Sequence, residues 1–294
     1  MQFNNEIEAK LKAIKMIVFD IDGTLVAHQK QWDGKIDPKH WDALKQLKAS
    51  DYIVVLASAR TMVTIDHLHQ NPYIDYFIGG NGAFIYDCKL AKIVDEQVIN
   101  GNEINNLLKN IDEQLIKSLT IYTRRQIYTN ALVIDPNHYI LKPFAKQILP
   151  IQSYQNENAH LVVIENQSDK QKQFLVTNLI KCFHEYKSQL TIQASSSKLI
   201  MLANQGITKL SAIAKLAKML NLGLENVLAF GDSANDIEML GGCAIGIVMK
   251  NASKPIYQYG DLISVDSAKN GGIFDTLVAL KVIKSNHTIL RSMK

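Results

Sequence analysis

The chain has 294 residues, 47% of them apolar and 20% charged, with a formal net charge of +4. That composition buries a core and excludes a disordered or low-complexity chain, and the length exceeds that of one average domain. The basic residues are scattered, no apolar stretch reaches the ~20 residues that span a bilayer, and Cys88, Cys182 and Cys243 form no CxxC pair, so nucleic acid, membrane and zinc are not expected partners and a cytoplasmic location is.

Residues 1–15 place Glu6 and Glu8 among lysines and lack the apolar segment of a signal peptide. Met16-Ile17-Val18-Phe19 is a short apolar, β-branched run that predicts a buried strand ending at Asp20. Gly23 closes the strand, and 23–36 reads as a loop or small flap, with His28 and Trp32 placed to line an entrance or simply to sit in solvent. Asp37-Pro38 predicts a helix start, with Trp41, Leu44 and Leu47 on its apolar face. Tyr52 to Ala57 predicts a second buried strand, Thr61 to His69 a helix, and Tyr76 to Ile78 a third strand before Gly79-Gly80.

The same rhythm returns late in the chain. Thr208 caps a predicted helix whose apolar face is Leu210, Ile213, Ala214, Ala217 and Leu220. Val227 to Phe230 predicts a strand ending at Gly231-Asp232, Ile237 to Leu240 begins a helix, and Ala244–Met249 and Leu262–Val265 read as the last strands. Alternating strands and helices predict an α/β fold: a Rossmann-like parallel sheet with helices on both faces.

Between these halves the pattern changes to half-alternating strands, Leu119–Tyr122, Leu132–Ile134 and Leu161–Ile164, with helical periodicity near 101–117, 138–148 and 169–187. The expected organisation is a discontinuous core, 1–82 and 200–294, interrupted by an α+β insertion over 83–199.

Four clusters fall at predicted strand ends or a helix start, the edge where open α/β sheets bind ligands. In Asp20-Ile21-Asp22-Gly23-Thr24-Leu25, strand alternation puts Asp20 and Asp22 on one side. One carboxylate can attack phosphorus, and the other can protonate the leaving oxygen and then activate water. Thr24 can stabilise the strand exit or bind the phosphoryl group. Ser58 follows the second strand, where it can hold a phosphoryl oxygen or cap a helix. Lys209 opens a helix, where it can neutralise Asp20 and phosphate or sit on the surface. In Gly231-Asp232-Ser233-Ala234-Asn235-Asp236, two acids four apart at a strand–helix junction suit a hard cation such as Mg²⁺, or form a capped turn.

In this order the clusters resemble the haloacid dehalogenase-like superfamily, from about Met16 to Leu280. The large insertion looks like its type-two (C2B) cap, and Asn81-Gly82-Ala83, Asn251-Ala252 and Asn270-Gly271-Gly272 are similar to the Cof-like branch. The resemblance implies a Mg²⁺-dependent phosphatase acting on a small phosphorylated metabolite: a sugar phosphate, flavin mononucleotide or pyridoxal phosphate. It implies Asp20 as nucleophile and Asp22 as general acid/base, with a backbone carbonyl on the metal. Thr24 and Ser58 would orient the phosphoryl group and Lys209 would neutralise it. Asp232 would ligate Mg²⁺ with Asp20, Asp236 would support the metal shell, and Asn235 would contact phosphate or orient its loop. Ala59 and Leu210 stand where the family often has glycine. A phosphomutase and a non-catalytic phospholigand sensor remain alternatives, although a sensor needs no general acid. Tyr122, Arg124, Arg125, Tyr128 and His138 are polar residues of the insertion that could reach a leaving group or serve as ordinary surface or packing residues. Monomer and homodimer are both open.

Overall fold

The structure, a computed structural model, describes residues 5–27, 36–65, 68–131, 146–166, 168–195 and 199–285. In chain order its strands are β1 (Met16–Phe19), β2 (Ile53–Ala57), β3 (Tyr76–Gly79), β4 (Phe84–Asp87), β5 (Lys92–Glu96), β6 (Ile116–Thr123), β7 (Ile127–Thr129), β8 (Ile148–Pro150), β9 (Ala159–Asn166), β10 (Leu190–Ser195), β11 (Leu199–Asn204), β12 (Val227–Gly231), β13 (Ile245–Val248) and β14 (Leu262–Ile263). The helices are α1 (Asn5–Ala13), α2 (Pro38–Ala49), α3 (Gly101–Asn110), α4 (Asp169–Glu185), α5 (Lys209–Met219), α6 (Ile237–Gly242) and α7 (Gly272–Ala279). No helix among the described residues is long and apolar enough to cross a membrane.

The unbroken apolar run of β1 makes it a central strand, because successive side chains point to opposite faces and both faces are covered. Ile17 and Phe19 pack with Ala43, Leu44 and Leu47 of α2 and with Ile273 and Leu277 of α7. Met16 and Val18 pack on the other face with Ile213, Leu216 and Ala217 of α5. The first sheet runs β14-β13-β12-β1-β2-β3-β4-β5. Its strands are parallel from β14 to β3, and β4 and β5 extend the edge antiparallel. Phe19 pairs with Phe230 in register, and their rings stack at 5.2 Å between centroids. This contact, worth about 0.5–1.5 kcal/mol beyond burial, fixes the ends of β1 and β12 side by side directly under Asp20 and Asp232.

The second sheet, β10-β11-β9-β6-β7-β8, is antiparallel except for the β7–β8 pair. Ile104 and Leu107 of α3 and Leu175 and Leu179 of α4 pack with Leu119, Ile121, Val162 and Ile164 on its strands. It is an α+β unit, but its limits differ from the expected 83–199. Phe84–Asp87 and Lys92–Glu96 hydrogen-bond into the first sheet, and Leu199–Asn204 pairs in the second. The turn at Gly79–Gly82 reverses the chain and appends an antiparallel hairpin, which the strand–helix rhythm of a parallel sheet does not announce. The helical pattern near 101–117 is also shorter than expected, because β6 begins at Ile116.

The helix expected over Thr61–His69 is not formed by the described residues there; 61–64 make a turn and Leu68–Gln70 a single 3-10 turn. Thr64 Oγ1 accepts the Thr61 N–H at 2.8 Å, so a hydroxyl takes a donor at the start of the segment and the side chain competes with helix formation. His28, Trp32, His138 and the expected strand Leu132–Ile134 lie outside the described residues, as does most of the helical pattern at 138–148.

His40, on α2, is fully buried and ties the loop after β1 to the start of α7. Its Nδ1 lies 2.9 Å from the Leu25 carbonyl and must donate to it, so Nε2 is the acceptor that receives the Ile273 N–H at 3.3 Å. Burial holds its pKa below the ordinary value, partly offset by the Leu25 hydrogen bond. A depressed histidine pKa means stability present above the unfolded value and lost as pH falls through it. His40→Phe is therefore expected to cost about 1–3 kcal/mol near pH 8. The difference from wild type should shrink below about pH 6.5, read from urea denaturation at the two pH values.

Candidate active site

Asp20 follows β1, Ser58 follows β2 and Asp232 follows β12, so three neighbouring parallel strands deliver them to one sheet edge. Lys209 arrives as the first residue of α5, capped by Thr208, whose Oγ1 accepts the Ser211 N–H at 3.2 Å. Gly82 lets the β3–β4 turn pass close to that helix start. Its φ is +110°, and a Cβ there would lie 2.2 Å from the Thr208 carbonyl oxygen.

Lys209 Nζ lies 2.6 Å from Asp20 Oδ1 and 2.7 Å from Asp236 Oδ1, with all three side chains buried. Burial alone pulls the ammonium toward neutrality, but the Asp20 and Asp236 carboxylates hold its pKa above the ordinary lysine value. Asp20 moves in the opposite sense to most paired carboxylates. Desolvation, with the charges of Asp236 and Asp232, raises its pKa despite Lys209.

Asp20, Asp232 and Asp236 offer oxygens within 4.8 Å of one another, all buried. Asp236 is anchored: its Oδ2 accepts the backbone N–H groups of Asp232 and Ser233, each at 3.0 Å, while Oδ1 takes Lys209. Thr24 donates its hydroxyl to Asp232 Oδ1 at 3.3 Å. Asp20 and Asp236 share the Lys209 ammonium, and the three clustered carboxylates are an all-oxygen donor set. A hard divalent cation suits such a set, so the residues fit one.

Ser58 is buried, and its Oγ accepts the Arg60 N–H at 3.2 Å, which leaves its own proton to donate. The Asp22 carboxylate stands outside the acidic trio. Arg60 holds it in a fork, Nε to Oδ2 at 2.9 Å and Nη2 to Oδ1 at 2.7 Å. Asn235 gives its Nδ2–H to Asn81 Oδ1 at 2.8 Å and receives Ser233 Oγ–H at 2.6 Å.

Sequence reasoning did not single out Arg60, Asn81 or Asn251 as site residues. Asn81 is buried at φ +56°, and its Nδ2 meets Met201 Sδ at 3.2 Å while its carbonyl accepts Gln193 Nε2 at 2.8 Å. It thus links the Asn235 loop to β10 and β11 of the second sheet. Asn251 donates Nδ2–H to the Gly23 carbonyl at 2.7 Å and accepts the Ala268 N–H, bracing the turn that carries Asp22. An asparagine in a Gly-Gly-Asn-Gly run after a strand was the available signal for Asn81, and the Asn251-Ala252 segment for Asn251; nothing local marks Arg60. Of the candidate residues of the insertion, Tyr128 hydrogen-bonds Glu157 within its own sheet region, burial pushes the Tyr122 phenol up to about 12, and Arg124 sits 4.0 Å from Glu96. Leu210, where glycine is often found, packs between helices: a Cβ on Gly242 of α6 would lie 2.5 Å from its Cδ2.

A family model described as haloacid dehalogenase-like hydrolase matches residues 17–277. The 5-amino-6-(5-phospho-D-ribitylamino)uracil phosphatase YcsE of Bacillus subtilis is 25% identical, over 88% of this chain and 92% of its own length. The pyridoxal phosphate phosphatase YbhA of Escherichia coli is 24% identical, over 86% of this chain and 94% of its own. Among solved structures, a subclass IIB sugar phosphatase of the same superfamily aligns with a TM-score of 0.74 at 20% identity, covering 92% of this chain and 100% of that one. A superfamily phosphatase from Bacteroides thetaiotaomicron aligns with a TM-score of 0.73 at 19% identity, covering 96% and 98%.

Proposed function

The chain belongs to the haloacid dehalogenase-like hydrolases and is a phosphatase of that family, and we propose that it hydrolyses a small phosphorylated metabolite through a phosphoaspartate on Asp20. The observation that carries this reading is the buried Asp20–Lys209–Asp236 chain beside Asp232, at the end of the central strand. A phosphorylated sugar or polyol is the proposed substrate class. The phosphoribityl compound named for the Bacillus relative belongs to it, and pyridoxal phosphate and flavin mononucleotide are the competitors.

In the proposed cycle Asp20 attacks phosphorus in line, and the bond to the leaving oxygen breaks. Lys209, already held at hydrogen-bond distance from Asp20, offsets the negative charge gathered there. Ser58 donates its hydroxyl proton to a phosphoryl oxygen. Thr24, engaged with Asp232, braces that carboxylate. Asp22 protonates the departing alkoxide, then takes a proton from the water that attacks the phosphoaspartate, and inorganic phosphate leaves. Asp20 and Asp232 would hold Mg²⁺, with Asp236 behind them. The ion would supply charge neutralisation between phosphate and carboxylates. The unit built on the second sheet, whose strands run from Ile116 to Asn204, is proposed as a cap that excludes water and contacts the leaving group.

The test is phosphate release from p-nitrophenyl phosphate and a panel of sugar phosphates, flavin mononucleotide and pyridoxal phosphate, with Mg²⁺ and with EDTA. EDTA should reduce release to background and added Mg²⁺ restore it. Millimolar Mg²⁺ should also raise the unfolding temperature of the EDTA-treated protein by a few degrees, on the order of 1–3 kcal/mol of binding linkage. Release unaffected by EDTA, with no thermal shift, would remove the metal from the proposal. Isomerisation of a bisphosphorylated sugar without net phosphate release would turn the reading to a mutase.

A further inference from the structure

We propose that Arg60 is the positioning residue that aims the Asp22 carboxylate at the water which hydrolyses the phosphoaspartate. The inference rests on the role given above to Asp22. Arg60 is 8% exposed although its guanidinium is always charged, and its planar group meets both Asp22 oxygens, at 2.9 and 2.7 Å. Its backbone is fixed as well: the N–H donates to Ser58 Oγ and the carbonyl accepts the Gly80 N–H at 2.8 Å. The guanidinium therefore projects from a braced loop between β2 and β3.

A fork of this kind sets the plane of the carboxylate as well as its place. Each carboxylate oxygen keeps a second lone pair directed away from the guanidinium, ready to accept a proton. The Asp22 side chain remains 32% exposed. In the first half of the cycle the leaving group is held by its own contacts and presents its oxygen to Asp22. In the second half the partner is a water molecule, whose direction depends on the base alone. There the water oxygen bonds to phosphorus, its proton passes to Asp22, and the phosphorus–oxygen bond to Asp20 breaks with the electron pair returning to the Asp20 carboxylate. An unaimed Asp22 slows this step most.

p-Nitrophenyl phosphate separates the two halves, because p-nitrophenolate departs without needing a proton. Its kcat/KM covers only the steps up to that departure and is blind to the aim of Asp22. Arg60→Gln should keep kcat/KM within about threefold of wild type, while kcat falls about 10- to 100-fold and KM falls with it. Rapid mixing should show a burst of p-nitrophenolate as phosphoenzyme accumulates. Arg60→Lys, which keeps the charge and loses the planar fork, should fall between the two. Equal losses of kcat and kcat/KM without a burst would overturn the inference, and so would an Arg60→Lys variant indistinguishable from wild type. Circular dichroism and the unfolding midpoint establish that each variant folds; if Arg60→Gln does not, the kcat against kcat/KM split of Arg60→Lys decides. Asp22→Asn in the same assay separates the premises. If it leaves kcat unchanged, the role of Asp22 fails and Arg60 has nothing to aim. If wild type releases no p-nitrophenolate, the phosphatase reading itself fails.

Discussion

Asp20→Asn is expected to abolish phosphate release from every substrate of the panel, a loss on the order of 10⁴-fold or more in kcat, while the protein stays folded. The amide keeps the size of the carboxylate, and its oxygen can still accept from Lys209, whose Nζ stands 2.6 Å from Asp20 Oδ1. What it lacks is a nucleophilic oxygen anion, so no acyl phosphate forms. The same change acts on stability with the opposite sign. Burial and the neighbouring Asp236 and Asp232 already oppose the charge on Asp20. Removing that charge relieves the repulsion among the clustered carboxylates. In EDTA, Asp20→Asn should therefore unfold at the wild-type temperature or above it. A variant that retains more than a few per cent of wild-type release displaces Asp20 as nucleophile. One that loses release by unfolding leaves chemistry and fold confounded, which melting curves detect directly.

Lys209→Met is expected to cost both fold and chemistry. The lysine is 1% exposed and bridges two buried carboxylates at 2.6 and 2.7 Å. Methionine fills a similar volume and leaves Asp20 and Asp236 facing each other without that cation. Breaking a buried pair from one side costs about 3–5 kcal/mol, because desolvated charge is left uncompensated. Urea denaturation in EDTA should show that loss. Lys209→Met with Asp236→Asn should recover part of it, since the second change removes one of the stranded charges; equal stability of the double and single variants would contradict the electrostatic account. Where the variant is folded, loss of one fixed charge beside the reacting oxygen should lower kcat about 10²- to 10³-fold.

The four apolar residues before Asp20, the Thr208 cap before Lys209 and the acids of Gly231–Asp236 were legible because each is a local pattern. An uninterrupted β-branched run requires burial on both faces, which only a central strand supplies. A threonine that can take the N–H three residues on requires a helix start. Once strands and helices are known, the rule that parallel sheets bind at their carboxyl ends places these residues at one edge. Asp20 and Lys209 meet there across 189 positions of sequence.

The tertiary structure decided what no local period encodes. Whether 84–96 joins the first sheet depends on which edge accepts the hairpin, and that edge is created by β3, not by the hairpin's own residues. Thr61–His69 reads as a helix in the sequence, but at its start the Thr64 hydroxyl oxygen takes the Thr61 amide hydrogen. Arg60 in the sequence is only an arginine two residues after a serine. Its fork on Asp22 exists because β1 and β2 are neighbours and their loops turn toward each other. Asn81 likewise owes its role to three partners, from the Asn235 loop, β10 and β11, that converge on it in space. Backbone hydrogen bonding and burial make elements predictable from short stretches of sequence. The pairing of side chains between elements depends on how those elements stack, and in this protein that stacking determines how the Asp22 carboxylate is held.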